Sequence, residues 1–225
     1  MRTLEIVIPA VVILFFLIGL YVYPAMPESV ASHWNAQGQV DGHMPKFWGV
    51  FFIPLLAAFL AALFLAIPRI DPMKKNIEEF RGNYEKFILL LFVFFLYVYL
   101  LTIAWNLGHS FDIITLLAPG FAVLFFYSGV LIEHAKMNWF IGIRTPWTMS
   151  SEAVWNRTHK LGGKLFKLCG VLSLMGAAFG PYAIAFVLAP VIIASAYLVL
   201  YSYLEFQKEE KGKKNEMPKR TRTKN

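Results

Sequence analysis

Six apolar runs dominate this chain and leave a water-soluble fold little room. They cover about Leu4–Tyr23, Phe47–Ile67, Lys86–Trp105, Ile113–Ile132, Leu165–Gly180 and Tyr182–Leu204. A helix of roughly 20 apolar residues crosses a hydrocarbon layer about 30 Å thick. Only 16% of the 225 residues are charged, against about 25% in ordinary soluble domains. The fold class expected is therefore all-α: a polytopic transmembrane helix bundle of about six spans. The first run is long and ends in Tyr21-Val22-Tyr23-Pro24, an aromatic anchor and a helix stop. It reads as a retained span and not as a cleaved signal peptide, which has a shorter apolar core and a small-residue cleavage site.

The net charge of +7 would suit nucleic acid, but its distribution follows membrane topology instead. Arg69, Lys74, Lys75 and Arg81 follow the second run, and Lys136, Arg144, Arg157, Lys160 and Lys164 follow the fourth. Eight more basic residues lie after Leu204, whereas the loop after the first run has only Lys46. Basic loops stay on the cytoplasmic side. A multi-pass protein of the cell membrane with both termini in the cytoplasm is expected, with the lipid bilayer as partner and no nucleic acid. Within the loop after the second run, Ile77, Phe80 and Tyr84 have helical spacing, which suits a segment lying on the membrane surface.

The first polar loop, PAMPESVASHWNAQGQVDGHMPK, would face outside. Glu28 to Trp34 fits a short helix, and Asn35 to Gly38 and Asp41-Gly42 supply turn chemistry. Its candidate ligand or partner residues are His33, Asn35, Gly38, Asp41 and Lys46. Imidazole and carboxylate at His33, Asp41 and His43 are also metal-ligand types, but their spacing matches no strong motif, and no metal site or cofactor is assigned.

The longest polar break, NWFIGIRTPWTMSSEAVWNRTHKLGGK from Asn138 to Lys164, would face the cytoplasm. Its first half mixes aromatics with Arg144, whose guanidinium suits lipid phosphate, a carboxylate or backbone carbonyls. Pro146 biases Thr145 away from helix, and Trp147 suits the headgroup zone. The second half predicts a short interfacial helix capped by Ser150, with Glu152 in its first turn. On it Val154, Thr158, Leu161 and Leu165 form an apolar face, and Arg157, Lys160, Lys164 and Lys167 a basic stripe. Glu152, Trp155 and His159 share a third face at spacings of three and four, either a binding patch or an ordinary packing face. The candidate partner- or lipid-binding residues of this stretch are Asn138, Arg144, Thr145, Trp147, Glu152, Trp155 and His159.

Catalytic signatures such as HExxH, GxSxG, a P-loop or a dinucleotide fingerprint are missing, and no enzyme is expected. Charges in the middle of spans, which proton and ion carriers use, are missing too. That weakens a transporter or channel, which stays the alternative ahead of a membrane metalloenzyme. Cys169 lies in an apolar run and reads as a small packing residue.

Two motifs carry a family resemblance. Pro27, His33, Asn35, Gly38, Asp41, Gly42 and Lys46 resemble the P…HxNxxGxxDG…K pattern of an N-terminal domain of unknown function found in prokaryotic membrane proteins. Asn138, Gly142 to Thr148, Ser151, Val154, Trp155, Thr158, His159 and the Gly162-Gly163 pair resemble the signature of the SdpI family. The resemblance implies an immunity or signal-transduction protein. Such a protein would meet a secreted toxin peptide outside and hold a regulator protein inside. The organisation expected has three parts: residues 1–67 as a first helical hairpin with the external HWNAQGQVDG loop, 68–204 as four further spans with the cytoplasmic NWFIGIRTPWT stretch, and 205–225 as a basic, disordered tail.

Overall fold

The computed structural model describes residues 2–216 as a bundle of long helices with one small β-hairpin. Helix α1 is Arg2–Val22, followed by the strands β1, Ser29–Trp34, and β2, Val40–Pro45. Then come α2 (Lys46–Ile70), the short α3 (Lys74–Glu79), α4 (Arg81–Asn106), α5 (Ile113–His134), the single-turn α6 (Pro146–Ser150), α7 (Glu152–Gly176) and α8 (Ala183–Glu216). Among the described residues five helices, α1, α2, α4, α5 and α8, are long and apolar enough to cross a membrane. The sixth long helix, α7, is polar over its first half and takes up the fifth apolar run in its second. The chain is a polytopic transmembrane helix bundle.

Periodicity explains which side of each helix is shielded. Val50, Pro54, Ala57 and Ala61 are buried on α2 and Tyr84, Ile88 and Phe92 on α4, steps of three and four that keep one stripe inward. They enclose Ile8 and Phe15 of α1, with the Phe15 and Tyr99 rings 5.7 Å apart. Large side chains outside that stripe, such as Phe59 and Ile192, remain exposed and suit a lipid surround.

The tightest pair is α5 with α7, and glycine sets its closeness. A Cβ on Gly129 would stand 2.6 Å from the carbonyl oxygen of Gly163, and one on Gly170 2.6 Å from that of Ala122. Both are closer than real Cβ atoms approach, so the two backbones touch where side chains are absent, the usual route to strong helix contact in lipid. Cys169 beside them is buried, as the sequence suggests.

Four sequence expectations change. Glu28 to Trp34 is not a helix: Ser29–Trp34 is a strand paired antiparallel with Val40–Pro45. The segment is too short for local periodicity to decide, and pairing across the turn decides instead. The helix expected after Ser150 forms, but not as a short separate element: it fuses with the fifth run into the continuous 25-residue α7, and the five-residue α6 precedes it. Ser151, not Ser150, caps α7, its side chain accepting from the N–H of Val154 at 3.3 Å. Ile77, Phe80 and Tyr84 are buried in the core and not spread on a membrane surface.

The tail also departs from expectation over part of its length. Helix α8 continues from Leu204 to Glu216 without a break, so residues 205–216 are not disordered. Pairs at helical spacing accompany it, Lys208 with Glu205 at 2.7 Å and Lys213 with Glu209 at 2.9 Å. Alternating charges at these spacings favour helix and outweigh the low apolar content. Residues 217–225 lie outside the described residues.

Candidate functional site

The candidate residues gather at opposite ends of the bundle. At one end is the hairpin. Asn35 organises its turn: the side-chain oxygen accepts from the backbone N–H groups of Gln37 and Gln39, each at 3.0 Å. Gly38 stands at φ +74°, which a side chain would strain. Across the two strands His33 Nδ1 meets Asp41 Oδ1 at 2.5 Å, and both groups are well exposed. Lys46 is drawn inward, its ammonium 5.1 Å from the Tyr23 ring centroid and 3.3 Å from Glu28. The structure thus brings His33 and Asp41 together, while Asn35, Gly38 and Lys46 shape the loop and its entry into α2. His43 does not join them. It lines a separate recess with Asn106 and His109.

Asn106, which the sequence reading missed, fixes the hairpin to the bundle. Its amide accepts from the Ala31 N–H at 2.7 Å and donates to the Ala31 carbonyl at 3.0 Å. A side chain at the end of α4 thereby substitutes for a third strand. Nothing local in the sequence marks the residue, because its partner is 75 positions away.

At the other end, the segment between α5 and α7 is a folded loop and not a loose connector. Asn138 is fully buried and closes a tight turn. Its oxygen accepts from Phe140 at 2.9 Å and Ile141 at 2.6 Å, and its amide nitrogen donates to the carbonyls of Lys136 and Ile141. Buried Asp71, just past α2, accepts from the N–H of Trp139 at 2.9 Å and of Met73 at 2.6 Å. Asn76 of α3 donates to the Met137 carbonyl at 2.7 Å. Asp71 and Asn76 were not singled out in the sequence; their loop was noted only for its charge and for the spacing of Ile77, Phe80 and Tyr84.

Trp155 and His159 do share a face of α7, but it is a packing face. Both are buried, their rings stacked 3.8 Å apart at 15°. Trp155 Nε1 donates to the Ala135 carbonyl at 2.8 Å. His159 Nδ1 lies 2.9 Å from the Trp155 carbonyl, and Nε2 receives the Ile143 N–H at 3.0 Å. That pattern needs neutral imidazole protonated on Nδ1. Burial pushes the pKa of His159 down to about 4, which keeps it neutral. Glu152 remains exposed at the start of α7 and is not enclosed with the two rings.

Thr145 caps α6 in a reciprocal arrangement with Thr148 and reaches Ser202 of α8 at 3.0 Å. Trp147 packs edge-on to Tyr203, ring centroids 5.1 Å apart. Arg144 is exposed and donates to the Trp139 carbonyl, the backbone option among its sequence-level partners. It stands beside Trp139 and Phe140, 52% and 37% exposed. Of the basic stripe, Arg157 pairs with Glu205 at 2.8 Å, and Lys167 pairs with Glu133. Ser151 donates to Glu209 at 2.7 Å, so the start of α7 is tied to α8 by several polar contacts.

Known proteins show the same two regions. Residues 134–202 match the SdpI/YfhL protein family, and residues 10–58 match a domain of unknown function (DUF1648). The SdpI/YfhL match is confined to residues 134–202. It contains the folded loop, α6, α7 and α8 as far as Ser202, the residue that meets Thr145. The immunity protein SdpI of Bacillus subtilis (strain 168) is 25% identical over 199 residues, 88% of this chain and 93% of that protein. No solved structure matches the chain. The SdpI-like chain is thus a multi-pass membrane protein similar to an immunity protein along nearly its whole length. Its DUF1648 region holds α1 from Ala10 on, the hairpin and the first half of α2, and Asp71, which accepts from the loop N–H of Trp139, lies between the two matched regions.

Proposed function

We propose that this protein protects its cell against a secreted toxin peptide, or senses one, from the cell membrane. The observation that carries the reading is the similarity to an immunity protein over 93% of that protein's length. Partial similarity confined to the spans would reflect hydropathy alone, whereas this similarity takes in both polar loops. In this reading the hairpin faces outside and both termini lie in the cytoplasm, in keeping with the basic residues clustered at the opposite end. The exposed residues of the hairpin, His33 and Asp41, meet the toxin. Arg144, Glu152 and the edge of Trp147 lie on the cytoplasmic surface and meet lipid or a regulator protein, with the buried Asn138, Thr145, Trp155 and His159 holding that surface in shape.

Toxin challenge of cells with and without the gene tests protection; equal killing ends the reading. Recovery of a cytoplasmic protein on wild type but not on Arg144→Ala tests the regulator surface. Labelling of Ser150→Cys by an impermeant thiol reagent tests orientation: the group is exposed, and reaction from outside intact cells reverses the assignment.

A further inference from the structure

Beneath the β-hairpin, a cleft of about 320 Å³ lies between α2, α4 and α5. Phe52, Val98 and Leu117 are among its apolar walls, and Ser32 and His33 of β1 border it on the hairpin side. Trp48 and Phe52 on its α2 wall are 51% and 48% exposed, so the cleft opens to the surface of the bundle where the helices meet the polar hairpin. Its volume is at the lower end of the usual range for ligand pockets, roughly 300–1,000 Å³, enough for one or two large apolar side chains.

The charges around this end have one predominant sign. Glu28 is paired with Lys46 at 3.3 Å, which leaves Asp41, beside His33 of the cleft rim, and Asp112, next to Ile113 of its wall, to set the sign. An occupant needs an apolar group for the cleft and positive charge for its surroundings. An anionic headgroup meets repulsion from these two carboxylates, and an uncharged chain makes no use of them. We propose that the cleft is a docking site for a cationic amphipathic peptide, which seats an apolar side chain between α2, α4 and α5 and turns its basic face to Asp41 and Asp112. This rests on the toxin reading above and specifies the peptide chemistry that reading leaves open.

The test uses the full chain in phosphatidylcholine nanodiscs, with empty nanodiscs as background. The probe is a fluorescent 18-residue Leu/Lys amphipathic helix, beside its Leu/Glu counterpart. Wild type is expected to bind the Leu/Lys peptide saturably and the Leu/Glu peptide not at all. Leu117→Trp, which fills the cleft, weakens binding at least tenfold. Asp41→Asn weakens it at least threefold. Val98→Phe fills the same space from α4 and serves if Leu117→Trp fails to fold, folding being checked by circular dichroism. Binding by a folded filled-cleft variant within twofold of wild type overturns the proposal. So does equal binding of the Leu/Glu peptide, or a zwitterionic lipid held in the cleft that the probe does not displace. Toxin challenge separates this proposal from the broader reading. Full protection by Leu117→Trp removes the cleft and leaves immunity standing. No protection by wild type removes immunity, and the nanodisc result still decides the cleft.

Discussion

The backbone N–H of Ile143 donates to Nε2 of His159 across 3.0 Å, so the loop that follows α5 is hung on the neutral form of an imidazole buried in α7. Protonation removes the acceptor. Burial lowers the His159 pKa to about 4, below the ordinary value of about 6.5. A depressed histidine contributes stability that is complete above the unfolded pKa and is lost as pH falls, because the unfolded chain takes up the proton first. Between pH 6.5 and 4 the loss is about 3 kcal/mol by linkage. Thermal unfolding in detergent should show that decline, and His159→Phe should flatten it while lowering stability at pH 7.5. An unchanged pH profile in the variant contradicts the assignment.

Gly142 makes that contact possible. Its φ is +116°, and a Cβ there would collide with His159 Nε2. Gly142→Ala therefore combines backbone strain with a clash against a ring that cannot move away from the stacked Trp155. A loss of about 2–4 kcal/mol is expected, with Ile143 the amide that gains most hydrogen exchange. A variant as stable as wild type would mean the loop has another accessible path.

The spans were legible because hydropathy is a local property, and so was the shared face of Trp155 and His159, because four residues make about one helical turn. Which way that face points was not legible. It depends on Ala135 and Ile143, whose bonds to the two rings cross an intervening loop. The hairpin was misread for the same reason: β1 is held by β2 on one edge and by Asn106, 75 residues on, at the other. Composition misled at α8, where many charges suggested disorder but their i,i+3 and i,i+4 pairing supports a helix. At the candidate site, motif positions marked the loop well. They did not separate Arg144, which is exposed, from Asn138, which is buried.

Asp71 ties the end of α2 to the loop that follows α5, since its carboxylate serves Met73 next to it and Trp139 in that loop. Asp71→Ala leaves both N–H groups without an acceptor, at a cost of about 1–3 kcal/mol for each one that stays buried. Asp71→Asn keeps one acceptor and should lie between. Hydrogen exchange at Trp139 and Phe140 reads the effect directly. Equal protection in Asp71→Ala and wild type would show that Asn76, bonded to Met137 at 2.7 Å, holds the loop alone.

The α5–α7 contact predicts a different kind of failure. At Gly163 a Cβ would meet both Glu133 Cβ at 2.6 Å and the Gly129 carbonyl at 2.9 Å. Neither is the loose end of a flexible chain, so Gly163→Leu must push the helices apart. Separation also stretches the Glu133–Lys167 pair one turn further along α7. It draws Trp155 away from Ala135, the residue that follows α5. The expected loss is about 2–5 kcal/mol, the range for core changes that break packing and buried hydrogen bonds together. Gly82→Leu is the matched control, since nothing lies within 4 Å of a Cβ there. Both variants are compared by thermal unfolding in the same detergent. Tryptophan emission reports whether Trp155 gains solvent. Similar melting of Gly163→Leu and Gly82→Leu would refute the backbone contact as the determinant of this pair.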